Sequence, residues 1–134
     1  AGILDFQDAV IGPVFLDPVS LLKDLDNVWK PEEFNQFLSD YVLKAQAAGV
    51  LPDVDDNMMK RWIDLAGLQR QLRILGTLTR LHLRDGKSYR LVDLKQTLLY
   101  MIDASSSYEN LSKLSVFLQK KILPALESKL KTNS

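Results

Sequence analysis

The sequence predicts a mainly α chain of about five helices in one compact unit, with at most one short strand at its N-terminus. Three observations carry this. Through the middle of the chain apolar residues recur at i, i+3, i+4 and i+7, the spacing of a helix face. Proline and glycine punctuate the starts and stops of those stretches. A length of 134 residues, 46% of them hydrophobic, gives one domain with a real core, and no internal repeat or long linker divides it.

The elements follow in order. Ala1-Gly2-Ile3-Leu4-Asp5-Phe6 opens the chain, and residues 2–6 read as a buried strand end, whose partner would have to lie elsewhere. Gly12-Pro13 marks a turn. Asp17-Pro18 then reads as a helix start, with Asp17 capping the first amides and Pro18 where a missing N–H costs nothing, and the helix covers 19–25. Pro31-Glu32-Glu33 starts the second helix. Its stripe is Phe34, Phe37, Leu38, Tyr41, Val42, Ala45 and Ala48, and Gly49 ends it.

A loop over residues 52–57 leads to a long central helix over 58–83. Its apolar positions are Met58, Trp62, Leu65, Leu68, Leu72, Leu75 and Leu78, widened by Ile63, Ile74 and Leu81. Gly67 and Gly76 inside it each cost about 1 kcal/mol relative to alanine, so a close-packed neighbouring backbone is expected there. Arg84-Asp85-Gly86-Lys87 is a turn signature. A fourth helix covers 91–102 with Leu91, Leu94, Leu98 and Ile102 on one face, and Ser105 to Ser107 break it. The last helix covers 109–129. Pro124 should kink it, because proline removes a hydrogen bond and crowds Lys120. Residues 131–134 read as a disordered tail.

Composition excludes several functions. Lys plus Arg is 17 and Asp plus Glu is 17, so no net charge draws the chain to nucleic acid or to an anionic membrane. No apolar run approaches the roughly 20 residues of a membrane span, and no signal peptide is visible. There is no cysteine, which excludes disulfides, thiolate chemistry and cysteine zinc sites and fits a cytoplasmic location. His82 is the one histidine and reads as a surface residue. Asp53, Asp55 and Asp56 lack the calcium-loop spacing, and Ser105 to Ser107 lack a nucleophile-elbow pattern. Trp29 and Trp62 read as core or rim packing.

One stretch carries chemistry. An apolar strand that delivers an aspartate into a turn is a device for holding Mg²⁺, a hard cation that takes one or two carboxylates plus phosphate oxygens. Ile3-Leu4-Asp5-Phe6-Gln7-Asp8-Ala9, followed by Gly12-Pro13 and Asp17, has that form and resembles the metal-binding segment of the aminoglycoside-phosphotransferase-like kinases. Gly67-Leu68-Gln69-Arg70, Leu75-Gly76, Arg80-Leu81 and Arg84-Asp85-Gly86-Lys87 resemble one subgroup, the anomeric kinases of N-acetylmuramate and N-acetylglucosamine used in cell-wall recycling. Two positions depart from that pattern. Leu16-Asp17-Pro18 stands where such sequences usually have Tyr-Asp-Leu, and Gln71 stands where they often have histidine.

The resemblance implies that the chain is the helical part of the C-terminal lobe of a protein-kinase-like fold. It implies ATP as donor, Mg²⁺ as cofactor and a small amino sugar as acceptor, phosphorylated at its anomeric hydroxyl. By the same resemblance Asp5 is a metal ligand, Asp8 a second metal or outer contact, and Asp17 a support for the catalytic loop. Arg70 is a candidate for the sugar cleft, against the plainer reading of Arg70 and Arg73 as a solvated face. The family's glycine-rich loop, phosphate-binding lysine and catalytic H-x-D-x-x-x-x-N segment are not among these residues. The 134 residues are therefore expected to be a helical subdomain, with N-terminal lobe and catalytic loop absent, inactive alone, and able to pair as a homodimer through apolar surface near residues 1–22. The alternative is a stand-alone helical interaction module without catalysis.

Overall fold

In the computed structural model residues 11–132 are described, and the proposed strand over 2–6 lies outside them, as do Asn133 and Ser134. The described residues form α1 (Leu16–Leu22), α2 (Pro31–Ala47), α3 (Asp56–Asp85), α4 (Asp93–Ser106), a 3₁₀ turn (Glu109–Leu111), α5 (Ser112–Phe117), a π-helical turn (Leu118–Ile122) and α6 (Leu123–Thr132). From Glu109 onward these pieces run on as one continuous helical segment, so five helical segments are present among the described residues. The mainly α expectation holds.

Local chemistry sets most of the ends. At the start of α2 the Lys30 N–H donates to the Glu33 carboxylate (3.4 Å). Asp55 caps α3 by accepting from the N–H groups of Asn57 (2.9 Å) and Met58 (3.0 Å). Gly49 and Gly86 close α2 and α3 with left-handed φ values of 68° and 66°. Beyond Gly86 the Lys87 N–H returns to the Leu81 carbonyl (3.1 Å).

α3 is the spine. Its 30 residues span about 45 Å at 1.5 Å per residue, and each half serves a different core. On the N-terminal half, Ile63 and Ala66 join Phe15, Val19, Val42, Ala45 and Leu51, packing α1 and α2 onto α3. On the C-terminal half, Leu68 joins Leu98, Met101 and Leu118, with Leu75, Leu114, Ile122 and Leu126 around them. α4 is the neighbour with which α3 packs most extensively.

Several expectations are corrected. α1 starts at Leu16, so Asp17 is its second residue and makes no capping hydrogen bond. The buried face of α3 is Ile63, Ala66, Gly67, Leu68 and Gln71. Met58, Leu65 and Leu72 stay 44%, 36% and 45% exposed, so the line they form does not enter the core. Gly67 makes room for a side chain, not a backbone: a Cβ there would meet Lys23 Cδ at 3.2 Å and Nζ at 3.3 Å. A Cβ on Gly76 would meet nothing within 4 Å, so no close packing explains that glycine.

α4 runs on past residue 102 and ends within the serine run, with Ser106 its last residue, Ser107 its C-cap and Ser105 buried. Their hydroxyls turn back onto helix carbonyls, Ser105 to Met101 (2.6 Å) and Ser106 to Asp103 (2.8 Å), so no polar group is stranded. Pro124 is accommodated by the π turn that immediately precedes it. One wider turn relieves the ring's clash with the carbonyl four residues back. Lys131 and Thr132 belong to α6 and are not part of a tail.

Candidate functional site

A polar cleft of about 700 Å³ opens between α1, the middle of α3 and the turn before α4. Asp17, Ser20 and Asp24 line it from the α1 side, and Arg70, Arg73 and Thr77 from α3. Tyr89 and Arg90 close one end, and Leu16, Ile74 and Leu78 supply apolar wall. A second, apolar cleft of about 570 Å³ adjoins it through Leu16 and Gln69 and is walled by Pro13, Val14, Phe15, Trp62, Leu65 and Ala66.

The geometry of the polar cleft depends on how the end of α1 is tied to α3. The Lys23 carbonyl, left without a helical partner at the end of α1, accepts from Arg70 Nη1 (3.1 Å) and Gln71 Nε2 (2.9 Å). Arg70 also pairs with Asp24 at 3.5 Å. Two successive α3 residues thus hold one wall of the cleft against the other. Arg70 lines this polar cleft, and its guanidinium is engaged in this tie and is not a solvated face. Gln71 is 1% exposed and does not line the cleft, so the departure from histidine there is a change inside the core.

Asp17 is exposed on the cleft wall. Its carboxylate lies close enough to Tyr41 to add to the effect of burial, and together they raise the Tyr41 phenol above its ordinary value. The Tyr41 hydroxyl donates to the Val14 carbonyl (2.8 Å), which anchors the segment leading into α1. Asp5 and Asp8 lie outside the described residues. Among the described residues no three histidine, cysteine, aspartate or glutamate side chains converge as a metal site. No described helix is long and apolar enough to cross a membrane. His82 meets the Ser88 hydroxyl at 2.9 Å, beside the turn that ends α3. Trp29 donates to the Leu21 carbonyl (3.3 Å) and tilts against Phe37, with ring centroids 6.0 Å apart, as rim packing requires.

Sequence reasoning missed a charged cluster on the other side of α1. Lys23 is buried, and its ammonium lies 3.7 Å from Asp64. Asp64 also takes Lys60 at 2.6 Å and the Tyr108 hydroxyl at 2.8 Å. The hydrogen bond to Asp64 raises the Lys60 pKa, and burial followed by that same carboxylate raises Tyr108. The guanidinium of Arg61 lies 5.2 Å from the centre of the Tyr108 ring. A signal for this existed in Gly67, since a mid-helix glycine often marks space taken by a neighbour, here the Lys23 stem.

Comparison with known proteins adds a finding of a different kind. No protein-family model matches the chain, and no solved structure matches it. A Neisseria meningitidis protein named N-acetylmuramate/N-acetylglucosamine kinase is 38% identical over 118 residues, covering 87% of this chain and 35% of that protein. A Pseudomonas putida protein of the same name is 40% identical over 100 residues, 75% of this chain and 30% of its own. A third, from Pseudomonas aeruginosa, is 36% identical over 118 residues, again 87% and 35%. The chain therefore spans about one-third of the length of these curated relatives. Over most of its own length it is similar to proteins named N-acetylmuramate/N-acetylglucosamine kinase.

Proposed function

We propose that this chain is the helical C-terminal part of an ATP-dependent small-molecule phosphotransferase whose acceptor is an amino sugar, phosphorylated at its anomeric hydroxyl. The observation that carries this is the similarity of 87% of the chain to a kinase of that name at 38% identity. The cleft is compatible with it. Hydroxyl groups of Ser20, Thr77 and Tyr89 and charged groups alternate with the apolar walls of Leu16, Ile74 and Leu78, and a sugar ring presents the same mixture.

In this reading Asp5 holds Mg²⁺ and Asp8 assists it. Held there, Mg²⁺ would supply the positive charge that offsets charge developing on the transferred phosphoryl group. Asp17 supports the catalytic loop, and Arg70 acts by holding α1 in register with α3. The chain by itself is inactive, since one metal-binding segment without a base or a phosphate-binding lysine cannot align a phosphoryl group. It works in the cytoplasm. Alone it pairs as a homodimer through apolar surface near residues 1–22.

The test is made on the full-length protein. Wild type should transfer phosphate from ATP to N-acetylmuramate or N-acetylglucosamine. Asp5→Asn should lose that transfer while its circular dichroism and melting remain those of wild type. Near-normal turnover by Asp5→Asn would remove Asp5 from the metal site, and absence of transfer by wild type would remove the kinase reading.

A further inference from the structure

We propose that Arg73 reads a carboxylate on the acceptor and so sets the preference for an acidic amino sugar over a neutral one. This rests on the phosphotransferase reading above. The polar cleft is lined by three arginines, and the structure treats them differently. Arg70 is tied to the Lys23 carbonyl and to Asp24. Arg90 is paired with Asp26 at 3.3 Å and with Asp93 on its own turn. Arg73 stands three residues beyond Arg70 on the cleft side of α3 and has no hydrogen-bond or ion-pair partner among the described residues. Its planar guanidinium keeps all its donors available, in a fork that matches the two oxygens of a carboxylate.

The acids of the cleft do not cancel it. Asp24 is occupied by Arg70. Asp17 lies toward the start of α1 and has no salt-bridge partner among the described residues, which leaves it able to accept from sugar hydroxyls. The cleft thus offers one carboxylate and one cation without an ion-pair partner among the described residues, set among hydroxyl groups and apolar wall. A neutral polyol can take only ordinary hydrogen bonds from the second, without the charge-assisted, two-pronged pairing that a carboxylate makes. A sugar that carries a carboxylate uses both. The two acceptors named for the relatives differ in this respect, because N-acetylmuramate is N-acetylglucosamine with a lactyl ether that ends in a carboxylate. Arg73 would act in binding and touch no reacting atom, so its effect belongs in KM.

The experiment compares kcat/KM for the two sugars in the full-length protein with wild type, Arg73→Gln and Arg73→Lys. Arg73→Gln should lower the N-acetylmuramate to N-acetylglucosamine ratio by about ten- to hundredfold, through KM, as expected for losing a charge-assisted hydrogen-bond pair. Arg73→Lys should restore part of the ratio, because a lysine keeps the charge without the fork. An independent arm needs no variant: added salt should raise the wild-type KM for N-acetylmuramate far more than that for N-acetylglucosamine. That arm decides the matter should Arg73→Gln fail to fold. An unchanged ratio, equal loss on both sugars, or equal salt dependence would overturn the assignment of Arg73 while leaving the kinase reading intact. Wild type that phosphorylates neither sugar would overturn both.

Discussion

Asp64 is the residue at which distance and burial make opposite predictions about stability. Its carboxylate is 2.6 Å from Lys60 and 3.7 Å from Lys23, so distance alone ranks Lys60 first. Burial reverses the order. The Lys60 side chain is 63% exposed, whereas those of Lys23 and Asp64 are 10% and 13% exposed. Asp64→Asn keeps the shape and an acceptor for the Tyr108 hydroxyl but removes the charge. A buried pair that loses one partner costs about 3–5 kcal/mol, because the remaining charge stays dehydrated and uncompensated. The separation of 3.7 Å is at the loose end for an ion pair, which places the expected loss near the bottom of that range, about 3 kcal/mol. For a chain of this size that is about 10 °C in melting temperature.

Lys60→Met removes the shorter, exposed contact and should cost about 1 kcal/mol or less. The double variant Lys23→Met with Asp64→Asn removes the stranded ammonium as well and should recover about 2 kcal/mol relative to Asp64→Asn alone. Urea and thermal unfolding followed by circular dichroism read all three. The reasoning fails if Asp64→Asn costs less than Lys60→Met, or if removing Lys23 gives no recovery.

Two further predictions concern the fold. Tyr41, Tyr100 and Tyr108 all have pKa values raised above 10.0, chiefly by burial. Groups raised on folding stabilise fully below the unfolded value and lose that contribution as pH climbs through the folded one. Stability should therefore fall above pH 10.0, and a spectrophotometric titration should show these three phenolates forming at higher pH in the folded than in the unfolded chain. The two glycines at and within α3 should respond to alanine with opposite signs. Gly86→Ala forces a side chain onto a φ of 66° and should cost about 1 kcal/mol, whereas Gly76→Ala, with open space around it, should stabilise by about as much. Melting temperatures that move in the same direction would contradict this.

The legible parts of the sequence were those in which a few neighbouring residues settle the matter. Pro31 with Glu32 and Glu33, Gly49, and Gly86 mark helix ends through φ restriction, dipole and left-handed backbone, and the structure places ends at each of them. The similarity to amino-sugar kinases was likewise readable from the residues between Gly67 and Lys87. The facing of α3 was not. Ranking positions by apolarity put Met58, Leu65 and Leu72 inside, yet the face that is buried includes Gly67 and Gln71. Neither is hydrophobic. Gln71 is buried because the Lys23 carbonyl needs a donor, and Gly67 because the Lys23 stem needs the space.

The same logic separates the arginines of the cleft. In the sequence Arg70 and Arg73 are two equivalent charges three residues apart on a helix. Only the packing of α1 against α3 ties one to Lys23 and Asp24 and leaves the other open to the cleft. The sequence by itself determined that the chain is helical, where most helices begin and end, and which proteins it is similar to, because these rest on local backbone chemistry and residue identity. Only the tertiary structure decided which charges are buried, which are paired and which are left for a ligand, because those follow from groups brought together across 41 to 48 positions of chain, as Lys23 is with Asp64 and Gln71.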